Sequence, residues 1–228
     1  FVCHVNEITK NGAYVTYDIA GERALVIRGQ DGKVRAFHNL CRHRGSRIVS
    51  QERGQCNKAM ICPYHGWAYN LDGSLRGIAN KDTFPPMQAE KWGLKEIEME
   101  IWNGLIFIRF LAGPQNSVAS ILARFDAEIA PYNLENMLPT DSNSMHDTLP
   151  VNWKSVRDVD NEGYHVRQAH PGLHELYGNG YFDEPFVDGT SRSVGTFNEA
   201  HGKSWSVRKY RDLLPKNPDL PAAQNCQW

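Results

Sequence analysis

Two short segments of the chain bring sulfur and imidazole together. They are Cys41-Arg42-His43-Arg44-Gly45 and Cys62-Pro63-Tyr64-His65-Gly66-Trp67, with eighteen residues between His43 and Cys62. Each offers one thiolate and one imidazole, both good ligands for a transition metal. This division suits a [2Fe–2S] centre whose cysteines hold one iron and whose histidines hold the other. Neutral imidazoles in place of thiolates raise the reduction potential and make it sensitive to protonation. The glycines that follow the histidines let backbone amides approach the bridging sulfides. A tetrahedral zinc site is the rival, but zinc fingers group cysteine with cysteine and histidine with histidine, whereas each segment here mixes them.

A second constellation lies in Glu162-Gly163-Tyr164-His165-Val166-Arg167-Gln168-Ala169-His170-Pro171. On an ideal helix, positions five apart differ by about 140°, so His165 and His170 do not share a face. They reach one metal only if the helix loosens or ends between them, and Pro171 supplies an end. Two imidazoles and a carboxylate form the facial triad of non-haem Fe(II) oxygenases, which leaves positions open for O2. The plainer alternative is a helix terminus that places His170 near the C-terminal dipole. Asp160 rivals Glu162 as the acidic partner, but it stands five residues from His165 rather than three.

The elements that must position these groups divide the chain. Ala13–Ile19 and Arg23–Arg28 are β-rich runs around Gly21, and Gln30-Asp31-Gly32-Lys33 turns into Val34–Phe37. Asp72-Gly73 joins Trp67–Asn70 to Ser74–Arg76, and Asn103-Gly104 joins two strands between Gly93 and Phe110. Short strands at this spacing predict a small β-sandwich or barrel over residues 1–112. Leu111 to Asn116 breaks the pattern, and Ser117 caps a helix through Ile129. Val151 to Ala169 reads as one helix ending before Pro171. The whole is α+β, with a second domain over residues 113–228. Trp153 and Tyr164 are expected as core aromatics, with an aromatic wall for a cationic substrate as the alternative.

Composition narrows the function classes. Among 228 residues, 25 Lys+Arg face 26 Asp+Glu, so no basic excess points to nucleic acid. Leu105-Ile106-Phe107-Ile108 is far too short to span a bilayer, and no export signal opens the chain. Five cysteines cannot pair completely within one chain, and Cys41 and Cys62 lie near histidines, which favours ligation in a reducing cytoplasm. No GxGxxG or Walker-type loop is present, which argues against a nucleotide site here. His4, His38, His146, His174 and His201 have no spaced partner, and Cys3, Cys56 and Cys226 have no ligand context, so all read as packing or surface residues.

The two Cys/His loops resemble those of the Rieske domain, including C-x-H-R-G and C-P-Y-H-G-W. The respiratory type is disfavoured, because Ser46 and Tyr64 stand where its extra cysteine pair would lie. Asn152-Trp153-Lys154, Asp158 and then Glu162-x-Tyr164-His165-x4-His170-Pro171 resemble the active-site segment of the catalytic α subunit of Rieske non-haem iron oxygenases. This resemblance covers roughly residues 12–175. It implies an all-β Rieske domain followed by the N-terminal part of a helix-grip-type α+β catalytic domain. It further implies that Cys41, His43, Cys62 and His65 hold the cluster, that His165 and His170 bind the mononuclear Fe(II), and that Glu162 bridges His165 to His65 of a neighbouring subunit.

The family works as a homotrimer, takes NAD(P)H electrons from a separate flavin-containing reductase, sometimes through a ferredoxin, and uses O2 as co-substrate. The expected reaction is therefore hydroxylation, dihydroxylation or demethylation of a small organic substrate. An electron carrier with a docking domain is the alternative from another class. Three departures bear on this. Glu at the bridge, where many members have Asp, is found in the branch acting on quaternary-ammonium and N-methyl compounds rather than aromatic rings. Val159 stands where an Asn often follows the upstream acid. The family's third iron ligand is an Asp far downstream, and Asp183, Glu184 and Asp188 precede the matching segment, so the chain is expected to be part of a longer subunit that carries this carboxylate.

Overall fold

A computed structural model describes residues 1–111, 113–139, 148–184, 187, 189–195 and 204–213. His146, Asp188, His201 and Cys226 lie outside the described residues. The chain forms two compact units: Phe1–Ser120 with Asn133–Asp141, and Ile121–Tyr132 with Ser142–Trp228.

The first unit is built from ten strands among the described residues: β1 (Cys3–His4), β2 (Ala13–Ile19), β3 (Glu22–Arg28), β4 (Val34–His38), β5 (Arg53–Gln55), β6 (Met60–Ile61), β7 (Ala68–Tyr69), β8 (Leu75–Gly77), β9 (Glu98–Trp102) and β10 (Leu105–Arg109). They pair as three antiparallel sheets, in the orders β4-β3-β2-β5, β1-β10-β9 and β6-β7-β8. The turn signals fall where the sequence places them. Trp102 pairs with Leu105 across Asn103 and Gly104, both at positive φ, the conformation that a two-residue hairpin turn demands.

β3 explains how this unit is layered. Its apolar residues run without alternation, as in a strand buried on both faces. Leu25 and Ile27 enter a core with Phe37, Ile48, Trp67 and Tyr69. Ala24 and Val26 enter a second core with Cys3, Val15, Ile97 and Ile106. The first core lies directly under the two Cys/His loops, so the scaffold for those loops is packed protein rather than mobile surface. Five strands, β1, β5, β6, β7 and β8, carry only two or three residues each and leave no periodicity to read.

Beyond β10 the chain is mainly helical. Ser117 Oγ accepts the Ser120 amide at 3.0 Å, the expected cap, but the helix it starts is divided into α1 (Val118–Leu122) and α2 (Asp126–Ile129) by a 3-10 turn. The helix expected over Val151–Ala169 is also divided, into α3 (Trp153–Asp160) and α4 (Val166–Ala169). Asn152 Oδ1 caps α3 by accepting the Lys154 amide at 2.9 Å. Pro171 does more than end α4: it is the first residue of α5 (Pro171–Tyr177), where its missing N–H costs nothing. A hairpin, β11 (Tyr181–Asp183) and β12 (Ser193–Gly195), and α6 (Trp205–Leu213) complete the described elements. Trp153 and Tyr164 are exposed rather than core residues: Trp153 opens α3, whose residues are all exposed, and Tyr164, almost fully exposed, lies in the turn before α4.

Candidate metal centres

The first Cys/His loop leaves β4 through Asn39, which is fully buried. Its Oδ1 accepts the amides of Ile48 at 3.1 Å and Val49 at 3.2 Å, while Nδ2 donates to the Val49 carbonyl at 2.8 Å. One side chain thus closes the base of the loop in place of a strand ladder. The second loop is closed by ladder pairs, Met60 with Tyr69 and Ile61 with Ala68.

Above these bases the two loops have the same backbone geometry. Cys41 N–H donates to the Ser46 carbonyl at 2.8 Å, and Gly45 N–H to the Cys41 carbonyl at 2.9 Å. Cys62 N–H donates to the Trp67 carbonyl at 2.8 Å, and Gly66 N–H to the Cys62 carbonyl at 3.0 Å. Gly45 and Gly66 have φ of +68° and +71°, a left-handed turn that disfavours any side chain. Different spacings, C-x-H and C-x2-H, therefore yield matching loops.

The four candidate cluster ligands come together as two pairs, Cys41 with Cys62 and His43 with His65, although among the described residues no three of them form a metal-sized group. Cys41 and Cys62 are buried, free thiols. The rings of His43 and His65 lie 4.7 Å apart, centroid to centroid. Trp67 stacks on His43 at 5.1 Å with planes 4° apart, and Tyr64 lies 3.8 Å from His65. Burial pushes the Cys41 thiol up, opposed by the Tyr69 hydroxyl and reinforced by Cys62. Desolvation, then His65 and Arg44, hold His43 below the usual imidazole range, so it stays neutral and able to ligate. His43 Nδ1 is buried without a hydrogen-bond partner. A buried nitrogen left without a partner, next to a second imidazole, is what a metal ligand would leave, so these residue types fit the group. His43 is half-buried and His65 exposed, so one histidine faces the core and the other the solvent.

The second candidate centre forms where α3 stops. Glu162 Oε1 lies 2.5 Å from His165 Nδ1, and Oε2 accepts the His165 amide at 3.3 Å. This bond to His165 holds the Glu162 carboxyl below the usual range. An ionised carboxylate only accepts, so Nδ1 carries the proton, and in the neutral ring that metal ligation requires the lone pair is then on Nε2. His165 precedes α4, and His170 falls between α4 and α5. That break brings their rings to 5.2 Å at an interplanar angle of 74°, which one continuous helix would not allow. Among the described residues no third His, Cys, Asp or Glu joins them in a metal-sized group. Of the acids noted above, Asp183 receives the Gly163 N–H and Glu184 pairs with Arg192. The residues present thus fit two ligands of an iron site. Asn39 and Tyr69 are absent from the sequence reading: Asn39 reads as a turn residue after a strand, and nothing in the spacing marks Tyr69.

A model of the Rieske [2Fe–2S] domain matches residues 1–92, and a model of the ring hydroxylating alpha subunit (catalytic domain) matches residues 131–228. The glycine betaine monooxygenase oxygenase subunit of Chromohalobacter salexigens is 33% identical over 226 residues, covering 96% of this chain and 49% of that protein. The carnitine monooxygenase oxygenase subunit of Escherichia coli K12 is 31% identical over 215 residues, covering 88% and 57%. The chain therefore spans about half the length of the curated relatives it matches. Among solved structures, the quaternary ammonium Rieske monooxygenase CntA with L-carnitine superposes with a TM-score of 0.71 at 30% identity, covering 81% of this chain and 52% of that one. Naphthalene 1,2-dioxygenase with bound indole gives 0.60 at 28%, covering 78% and 40%. With its Cys/His loops in the first matched domain and its paired histidines in the second, the chain belongs to the Rieske non-haem iron oxygenases, as a Rieske domain joined to ring hydroxylating α-subunit catalytic sequence.

Proposed function

We propose that this chain belongs to the terminal oxygenase component of a Rieske system, acting on a small N-methyl or quaternary-ammonium compound. The observation that carries the reading is the convergence of His165 and His170, with Glu162 held on the back nitrogen of His165. Cys41, His43, Cys62 and His65 would hold the [2Fe–2S] cluster; His165 and His170 would hold the iron, with a carboxylate from outside the chain as third ligand. When bound, these groups supply single electrons and a ferrous site for O2. The chain's own residues orient them: Glu162 fixes the His165 tautomer, and the exposed edge of His65 is free to meet Glu162 of a partner subunit in a trimer. A flavin-containing NAD(P)H reductase, directly or through a ferredoxin, is the proposed electron source. Among the described residues no helix is long and apolar enough to cross a membrane.

The substrate class follows from Glu162 and from the betaine and carnitine enzymes to which the chain is similar. An aromatic substrate is the second reading, favoured by the likeness to naphthalene 1,2-dioxygenase. The alternative from another class is an electron carrier with a docking domain. Iron analysis of the intact subunit separates the classes: an oxygenase holds about three irons, two in the cluster and one at the histidine pair, and a carrier about two. His165→Ala is expected to lose the third iron and product formation, and retention of both would overturn the assignment. O2 uptake coupled to product from betaines, but not from aromatic acids or hydrocarbons, decides the substrate class.

A further inference from the structure

Three ties converge on the turn that carries Glu162 and His165, and all come from one hairpin. Gly163 N–H donates to Asp183 Oδ2 in β11. Ser191 Oγ, in the hairpin loop, donates to Asn161 Oδ1 at 2.7 Å. The Tyr181 ring covers Gly163 so closely that a Cβ there would stand 2.1 Å from two ring carbons. The hairpin is itself held in place. Ser193 Oγ donates to Asp183 Oδ1 at 2.8 Å, and Arg192 donates to Glu128 of α2 and to Glu184, each at 2.5 Å.

These ties decide where α3 stops. In a continuous helix the Gly163 amide would donate to the carbonyl four residues earlier, that of Val159, and His165 and His170 would point about 140° apart. A carboxylate is a stronger acceptor than a peptide carbonyl, because the bond is charge-assisted. Tyr181 reinforces the choice, since the space against its ring accepts no side chain.

We propose that Asp183 is a positioning residue for the Glu162–His165 pair, with the β11–β12 hairpin as the clamp that keeps the turn between α3 and α4 out of the helix. This rests on the reading of His165 and His170 as iron ligands. Asp183 touches neither of them. It acts through the Gly163 amide, one residue from Glu162 and two from His165.

The test is made on the intact purified subunit, by following Fe(II) release from the mononuclear site to a chelator under anaerobic conditions. Asp183→Ala is expected to keep the cluster spectrum and to release Fe(II) about 10- to 100-fold faster, the usual consequence of losing an outer support. Asp183→Asn presents an uncharged amide oxygen to the same N–H and is expected to release Fe(II) more slowly than Asp183→Ala but faster than wild type, a partial rescue that a pure charge effect would not give. If Asp183→Ala releases iron within about twofold of wild type while His165→Ala binds none, the clamp is overturned and the iron site stands. If His165→Ala binds Fe(II) as wild type does, the underlying reading fails, and the clamp with it. Should Asp183→Ala not fold, hydrogen exchange at Gly163 in the unmodified subunit decides. Protection of that amide supports the clamp, and exchange at the rate of an unstructured peptide overturns it.

Discussion

The Tyr69 hydroxyl lies 3.2 Å from the Cys41 sulfur while accepting the Arg42 amide at 3.0 Å. Because its oxygen already serves the backbone, its own proton is free for the sulfur. Burial, then the contact with Cys41, holds the phenol above its ordinary pKa, so the donor stays protonated. A hydrogen bond to a cluster sulfur favours the reduced, more negative state and raises the potential. Tyr69→Phe is therefore expected to lower it. A loss of about 1 kcal/mol corresponds to on the order of 40 mV for one electron. A redox titration followed by EPR measures this directly; an unchanged potential would mean that the proton points elsewhere.

Asn39 offers a prediction about stability. Replacing it with Ala leaves the Ile48 and Val49 amides without their acceptor and the Val49 carbonyl without its donor. Each buried orphan costs about 1–3 kcal/mol. A total near 3 kcal/mol lowers the melting temperature by about 10 °C. Cluster content should fall with it, since Asn39 stands two residues before Cys41. The same change at Gln30, a residue of the loop between β3 and β4, is the control and should leave the iron content unaltered.

What the sequence revealed, and what it hid, has a physical basis. The long strands and their turns were legible because Asn103-Gly104 and the apolar run of β3 are local signals that tertiary packing reinforces. The candidate cluster ligands could be named from the sequence because metal chemistry restricts residue type and spacing together. The break after α3 was not. Val151 to Ala169 has a helical pattern, and the acceptor that interrupts it, Asp183, lies twenty residues from Gly163. Gly163 and Asn161 were the local warnings. Neither identifies Tyr181, the ring for which the glycine leaves room. Tyr164 lies in that same turn and is exposed, whereas Trp153 is exposed together with all of α3.

Cys3 gives a prediction in the alkaline range. Burial first, and Glu7 next, push its thiol up to about 12. An unfolded cysteine titrates at about 8.5. Between these values the native chain keeps a proton that the unfolded chain has released. The associated stability is complete below the unfolded pKa and is lost as pH rises toward the folded one. Denaturant unfolding at successive pH values should show wild type losing stability more steeply than Cys3→Ala above pH ~9. Equal slopes would refute this. At neutral pH half-buried Cys56 should be alkylated well before Cys3, whose side chain is fully enclosed.

Glu162→Gln separates the charge of the bridge from its geometry. The Gln carbonyl oxygen can still accept the Nδ1 proton of His165, so the ring orientation and the free Nε2 persist. The charge is lost. In wild type that charge is secure at neutral pH, because the bond to His165 lowers the carboxyl pKa, and it disappears only in acid, as pH falls through that lowered value. The variant should therefore keep its iron and its cluster. Reoxidation of the reduced cluster in a single turnover, with substrate and O2 present, should slow by about 10-fold or more if the carboxylate links His165 to His65 of a partner subunit. Because the carboxylate stays ionised across the neutral range, the substitution, rather than pH, is the decisive comparison. A Glu162→Gln subunit that transfers at the wild-type rate would remove the charged bridge from the mechanism and leave Glu162 only the work of orienting His165.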